Sequence, residues 1–426
     1  MTSNSNYAEA YVWNWLPGQT EPVVAGLLSA GGDRLVFNYG RSYLERKDAV
    51  SLYEPELPLR SGILRPLAGL NMPSCIRDAA PDAWGRRVIL NRKFGSRARE
   101  VDPGNLDELT FLLESGSDRI GALDFQASPS AYVAREGAGA SLEELLNAAA
   151  LVEQGIPLTP EVDRALLQGT SIGGARPKAA ITSDEAKFIA KFSSQTDLYS
   201  VVKAEFIAMR LAAEVGLNVA PVQLRRVAGK DVLLTARFDR DKASGGWSRK
   251  AMVSALTLLE LDELMARYAS YEQLATIIRH RFTKPKETLR ELFSRMLFNV
   301  LCGNTDDHAR NHAAFWDGSN LTLTPAYDIC PQGRAGGEAT QAMLILGRDR
   351  ASQVALCLKA APYCLLKEAD AVAIAVRQIE IIKQRWSAVC EEARLGQVDR
   401  NLLWRRQFLN PYAFIGAPQS ITSLVG

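Results

Sequence analysis

The 426-residue chain is 47% hydrophobic and 23% charged, with a formal net charge of +2, values ordinary for a soluble globular protein. That length predicts two or three domain-sized units with sizeable cores, and a net charge so near zero argues against a whole-chain polyanion binder. Six cysteines without a C-x-x-C pair read as reduced, mostly buried thiols of a cytosolic protein, and three histidines are too few for a zinc site without carboxylate help. The polar residues 1–6 carry no apolar signal segment, and no run reaches the roughly 18 apolar residues of a membrane span. The default location is the cytoplasm.

In chain order, alternating runs at residues 10–16, 23–28 and 34–39 read as strands, followed by helical runs at 82–93 and 106–115. Residues 127–130 mark a boundary, which sets a first division at 1–130. A loop at 136–140 precedes a helix opened by Ser141 with Glu144 three residues later, a capping-box pattern. The small basic loop Ser171-Ile172-Gly173-Gly174-Ala175-Arg176-Pro177-Lys178 then runs into a strand, a turn at Ser183-Asp184-Glu185 and a second strand, 187–192. Glycines there let main-chain N–H groups approach phosphate oxygens, although the loop is neither G-x-x-x-x-G-K-[ST] nor G-x-G-x-x-G. Lys191 sits among apolar strand residues. It either faces solvent or needs a partner or a phosphate, because an unpaired buried ammonium is costly.

A helix at 201–215, stopped by Gly216, carries the stripe Val202, Phe206, Met209 and Ala213, with Glu205 beside it. Glu205 either points inward toward Lys191 or is solvated. Two strands at 219–224 and 231–238 follow, joined at Gly229-Lys230, and the second division closes at 240. The end of the second strand would be a hinge, where main-chain groups from Ala236 to Phe238 could read an adenine edge. The remainder, 241–426, reads as mostly helical, with helical periodicity at 289–301 and 369–393.

The chemistry concentrates in Gly303-Asn304-Thr305-Asp306-Asp307-His308-Ala309-Arg310-Asn311-His312. Asp306 and Asn311 have the D-x-x-x-x-N spacing of a kinase catalytic loop. An Asp there receives the proton of the attacking hydroxyl, and the amide oxygen reaches a metal on the same phosphates. Thr322–Ile329 reads as a short β segment ending near Asp328, placed for a second Mg²⁺ ligand; the plainer reading of Asp328 is a turn residue or helix cap. His308 and His312, four apart in a loop, lack the facing geometry of a metal pair.

These residues resemble the HipA family, bacterial serine/threonine kinase toxins of type II toxin–antitoxin systems. The stretch 302–312, Pro325-Ala326-Tyr327-Asp328 and Ala236-Arg237-Phe238-Asp239-Arg240 carry the resemblance. Asn38–Leu44, Ile76–Arg87 and Asp118–Leu123 look like its amino-terminal part. The resemblance implies an α+β, two-lobed protein-kinase-like fold, with a mixed α/β N-terminal half and an all-helical C-terminal half. It implies a HipA-type subdomain at 1–130, a kinase N-lobe at 131–240 and a helical C-lobe at 241–426. Asp306 would be the catalytic base, and Asn311 and Asp328 the Mg²⁺ ligands. Ser171, Gly173, Gly174, Lys178, Lys191, Glu205, Ala236 and Phe238 would serve ATP. Ser171 would be phosphorylated by the enzyme itself, which silences it.

The implied partners are a small DNA-binding, HipB-like antitoxin, with DNA reached only through it, and a protein substrate such as an aminoacyl-tRNA synthetase; no membrane is implied. Ser248–Ser254 departs from the Gln-Glu-Asp stretch of other members, which bears on the substrate more than on the chemistry. The competing readings are a phosphotransferase for small molecules and a non-catalytic kinase-like interaction or co-repressor protein.

Overall fold

The computed structural model describes residues 7–425 apart from 99, 103, 105, 136–139, 168, 195–196 and 335. The expected polar start at 1–6 and most of the loop at 136–140 therefore lie outside the described residues. The chain forms two compact units. The first comprises Met1–Thr196, Arg225–Val253 and Phe315–Ser319; the second comprises Asp197–Leu224, Ser254–Ala314 and Asn320–Gly426.

Two antiparallel sheets organise the first unit. Strands β1 (Glu9–Asn14), β2 (Val23–Gly31), β3 (Arg34–Tyr39) and β4 (Leu123–Gln126) lie in the order β3-β2-β1-β4. A two-residue turn joins β2 to β3, and its first position, Gly32, has φ +80°. A type II′ turn needs that value, and glycine meets it without steric cost.

The second sheet is built from β5 (Lys178–Thr182), β6 (Lys187–Phe192), β7 (Val222–Val227) and β8 (Lys230–Ala236), in the order β5-β6-β8-β7. Successive side chains alternate between faces. Ala179, Ala190 and Leu234 lie opposite one another and join Phe192, Trp84, Leu145, Val152 and Leu166 in a buried cluster. Fully burying a side chain such as Phe192 contributes about 1.5–3 kcal/mol. The register also sets Lys178 directly opposite Lys191 on the face turned away from this cluster. The helix Leu142–Gln154, which supplies Leu145 and Val152, opens with the expected capping box between Ser141 and Glu144.

β7 differs from the expected strand at 219–224. It runs on through Arg225 and Arg226 to Val227, and the hairpin turns at Ala228 (φ +48°) and Gly229 (φ +78°). Two successive left-handed residues make a type I′ turn, which fixes the register of β8. Both arginines are exposed, which an edge strand tolerates, so they do not end it.

A buried ionic cluster, unforeseen from sequence, ties residues far apart in the chain. Asp118 pairs with Arg237 at 3.1 Å, Arg240 at 3.0 Å and Lys187 at 2.9 Å, and Asp239 pairs with Arg237 at 2.7 Å and Arg240 at 2.9 Å. Arg237 also donates to the Arg119 carbonyl at 2.6 Å, and Gly121 N–H donates to Asp239 at 2.8 Å. Burial by itself would raise both carboxyls. The guanidinium groups of Arg237 and Arg240 outweigh it, holding Asp239 down at about 2 and Asp118 well below the usual carboxylate range.

The second unit is mostly helical. Its longest helices are Val201–Glu214, Tyr271–Arg281, Pro285–Cys302 and Glu368–Glu392. The helical expectation for 241–426 is met from Ala255 onward apart from the short strands Ala313–Trp316 and Leu321–Leu323, whereas Arg240–Ala243, Gly246–Arg249 and Ala251–Ser254 are strands. Val201–Glu214 is buried far more widely than one stripe: Val202, Phe206 and Met209 are inside as expected, but so are Lys203, Glu205 and Ile207, whereas Ala213 is exposed. All six cysteines are free and buried, as expected. Among the described residues no helix is long and apolar enough to cross a membrane.

Candidate active site

In the second unit, the helix Pro285–Cys302 delivers the Asp306 loop. Proline at its first turn costs no hydrogen bond, and Leu289, Leu292, Phe293, Met296, Leu297 and Val300 bury its inner side. It ends at Gly303, φ +73°, with Asn304 N–H donating back to Asn299 O at 2.9 Å, an arrangement of the Schellman type. A Cβ at Gly303 would come within 2.7 Å of the Gln407 carbonyl, so the stop requires glycine twice over.

The loop then closes on itself. His308 N–H donates to Asp306 O at 2.9 Å, Asn311 N–H to His308 O at 2.8 Å, and Asn311 Nδ2 to Asp306 O at 3.3 Å. Asp306 is exposed and Asn311 buried. Five residues of spacing thus become one short turn carrying both side chains of the D-x-x-x-x-N pattern.

Asp328 is brought up by a separate anchor. A parallel bridge joins Ala326 to Val219, with Ala326 N–H on Asn218 O at 2.7 Å and Ala220 N–H on Ala326 O at 2.9 Å. The Tyr327 hydroxyl donates to Arg310 O at 2.6 Å, which ties this segment to the Asp306 loop. Asp328 itself has φ +59°, a left-handed conformation that Asp tolerates better than most residues. Desolvation first, and then repulsion from Asp328, raise the Asp306 carboxyl above its ordinary value, while His308 opposes them. Among the described residues no three His, Cys, Asp or Glu side chains form a metal cluster. One carboxylate and one amide suit Mg²⁺, which keeps waters and takes substrate phosphates as its other ligands. Glu205 is buried in the helix Val201–Glu214 of this unit.

In the first unit, Ser171 lies inside, its hydroxyl donating to Gly116 O at 2.7 Å. Gly173 and Gly174 follow, and Lys178 Nζ donates to the Gly173 carbonyl. Lys178 and Lys191 face each other across β5 and β6, and like charges directly opposite on a sheet repel. At the expected hinge, Arg237 N–H is spent on Lys187 O at 2.8 Å. Strand alternation then turns the main-chain groups of Ala236 away from β6. The Phe238 ring packs edge-on against Phe315, with centroids 6.0 Å apart.

One cluster at the Asp306 loop has no sequence signal beyond proximity to Asp306. Buried Asp307 accepts the Tyr271 hydroxyl, and His312 Nε2 lies 2.9 Å from its other oxygen. Asp307 and His312 bracket the turn holding Asn311, so Tyr271 fastens both ends. Asp307→Ala removes the carboxylate that Tyr271 and His312 share and leaves the Tyr271 hydroxyl only the longer contact to His312 Nε2 at 3.4 Å, at an expected cost of about 1–3 kcal/mol. A urea midpoint indistinguishable from that of the parent chain would show that the cluster does not brace the loop.

The family model described as the HipA-like C-terminal domain matches residues 170–393, and the one described as the HipA N-terminal domain matches 19–126. The chain is 26% identical over 188 residues to the serine/threonine-protein kinase toxin HipA of Shewanella oneidensis, covering 37% of this chain and 42% of that protein. Two relatives whose names include the word kinase, from Sinorhizobium fredii and Haemophilus influenzae, are 24% and 27% identical over 174 and 181 residues. Those matches cover 37% and 38% of this chain and 41% and 52% of the relatives, so the chain spans about two fifths to a half of the curated relatives it matches. Among solved structures, the Shewanella oneidensis complex of HipA, HipB and operator DNA contains a chain that aligns with a TM-score of 0.67 at 18% identity, over 98% of this chain and 96% of that one. The two share a fold.

Proposed function

The chain belongs to the HipA family, and on that premise we propose that it is a Mg·ATP-dependent serine/threonine protein kinase, the toxin of a type II toxin–antitoxin pair. The observation that carries the reading is the short turn bearing Asp306 and Asn311, with the segment ahead of Asp328 tied to it through the Tyr327 hydroxyl on Arg310 O. Asp306 accepts the proton of the attacking hydroxyl. Asn311 and Asp328 hold Mg²⁺, which when bound neutralises charge on the phosphates. In the first unit, the N–H groups around Gly173 and Gly174, with Lys178 and Lys191, take the phosphates. The main chain at Ala236 and Phe238 reads the adenine, and Glu205 is a further residue that serves the nucleotide. The divisions 1–130, 131–240 and 241–426 serve as amino-terminal part, nucleotide-binding part and catalytic part.

The partner is a small DNA-binding antitoxin like the HipB of the solved complex. The substrate is a cytoplasmic protein of translation such as an aminoacyl-tRNA synthetase, and its modification arrests growth. Ser171 is the self-phosphorylation site. Its hydroxyl points inward to Gly116, so the loop must leave before the serine can receive phosphate. The added charge of about −1.5 to −2 then keeps it out.

Mass spectrometry after incubation with Mg·ATP is expected to find phosphate on Ser171 of the parent chain and none on Asp306→Asn. The phosphorylated form should bind ATP at least about tenfold more weakly, since two like-charged phosphates cannot share the loop. A parent chain that phosphorylates a small molecule but neither itself nor any protein would overturn the reading.

A further inference from the structure

Asp82 occupies the N-cap of the helix Ala83–Phe94, yet its carboxylate makes no capping hydrogen bond to that helix. It reaches instead to Gly174, whose N–H donates to Asp82 Oδ2 at 2.5 Å. The same turn grips the loop elsewhere. Trp84 N–H donates to Gly174 O at 3.3 Å, and the Trp84 indole donates to Lys178 O at 2.9 Å. A Cβ at Gly85 would overlap the Thr170 carbonyl, so helix and loop touch where only glycine fits. The two loop glycines also have separate reasons. A Cβ at Gly173 would lie 2.9 Å from Asp82 Oδ2, and Gly174 has φ +102°, where a side chain would in addition strike Lys178 Nζ.

An Asp at an N-cap ordinarily contributes about 1 kcal/mol by bonding its own first turn. Here that bond is given up for a charge-assisted one to a residue 92 positions away, and such bonds are roughly twice as strong as neutral ones. We infer that Asp82 is a positioning residue for the phosphate loop: its carboxylate fixes the peptide ahead of Gly174, so that the remaining N–H groups of the loop and Lys178 are preset for nucleotide phosphate. The inference rests on the proposed nucleotide role of this loop. Asp82 does not touch the nucleotide. The Gly174 N–H it occupies is withheld from the phosphates, which leaves recognition to the neighbouring amides and the lysines.

The full chain is tested without nucleotide first. In Asp82→Ala, hydrogen–deuterium exchange of the amides around Gly174 should speed up by at least about tenfold, with the helix Val201–Glu214 unchanged as the control for folding. Asp82→Asn should fall between, because its amide oxygen can still accept from Gly174. Gly173→Ala should mimic Asp82→Ala by pushing the carboxylate away from the other side. With Mg·ATP, Asp82→Ala should raise KM for ATP by about tenfold while kcat stays within about twofold, the signature of lost positioning in binding. Unchanged exchange in both Asp82→Ala and Gly173→Ala overturns the assignment. So does faster exchange with an unchanged KM. If the parent chain binds no ATP, the nucleotide reading fails by itself, and the exchange experiment still decides whether Asp82 holds the loop.

Discussion

Asp306→Asn is expected to lower phosphoryl transfer by about 10²–10⁴-fold while leaving ATP affinity within about twofold. The amide fills the same space and loses only the ability to take a proton. The turn does not depend on the side chain, because Asn311 Nδ2 and His308 N–H both bond the main-chain carbonyl of Asp306. Asp328→Asn should also abolish transfer, but for another reason and with another signature. Its carboxylate is the proposed metal ligand, so Mg·ATP should bind more weakly as well. Asparagine is among the few residues that accept the left-handed φ of +59° found at this position, so the substitution removes charge without straining the backbone. Single-turnover transfer measured beside calorimetric titration with Mg·ATP separates the two roles. Full transfer in either variant, or a large loss of ATP affinity in Asp306→Asn, would remove the assignment.

What could be read before the fold was known is the local part of the site. The D-x-x-x-x-N spacing, the Ser141–Glu144 box and the hairpin around Ser183 each depend on residues a few positions apart, and the structure forms a turn, a cap and a hairpin there. The long-range part was silent. Asp118 and Arg237 are 119 positions apart, Asp82 and Gly174 92. No periodicity records such a pair. Arg237 looked like one residue of a hinge; it proved to be the centre of a buried ionic cluster. In the sequence Asp82 is only the first residue of the helical run 82–93; the structure puts it at the N-cap, and the direction of its carboxylate gives it another task. His312 illustrates the same limit on a small scale. Its spacing from His308 carries no information, whereas its pairing with Asp307 and Tyr271 needs a residue 41 positions upstream.

The largest stability effect is expected at Arg237. Its guanidinium bonds Asp118, Asp239 and the Arg119 carbonyl in a buried setting, so Arg237→Ala leaves buried Asp239 to Arg240, a partner it shares with Asp118. Breaking a buried pair from one side costs about 3–5 kcal/mol, mostly as the penalty of the charge left behind. That origin gives a check: adding Asp239→Asn to Arg237→Ala should recover part of the loss, because the stranded charge goes with it. The same carboxylates set a pH window. Both are held below their ordinary value of 3.8, Asp239 at about 2. Their contribution is therefore full above about pH 4 to 5 and fades as the pH falls toward 2, with Asp239 alone accounting for roughly 2 kcal/mol. Urea unfolding followed from pH 6 down to pH 2 should show this loss in the parent chain and a flatter profile in Asp239→Asn. Arg237→Ala unfolding at the parental midpoint, or parallel pH profiles for the parent and Asp239→Asn, would mean that the cluster contributes no net stability and that the sheet packing alone holds the first unit.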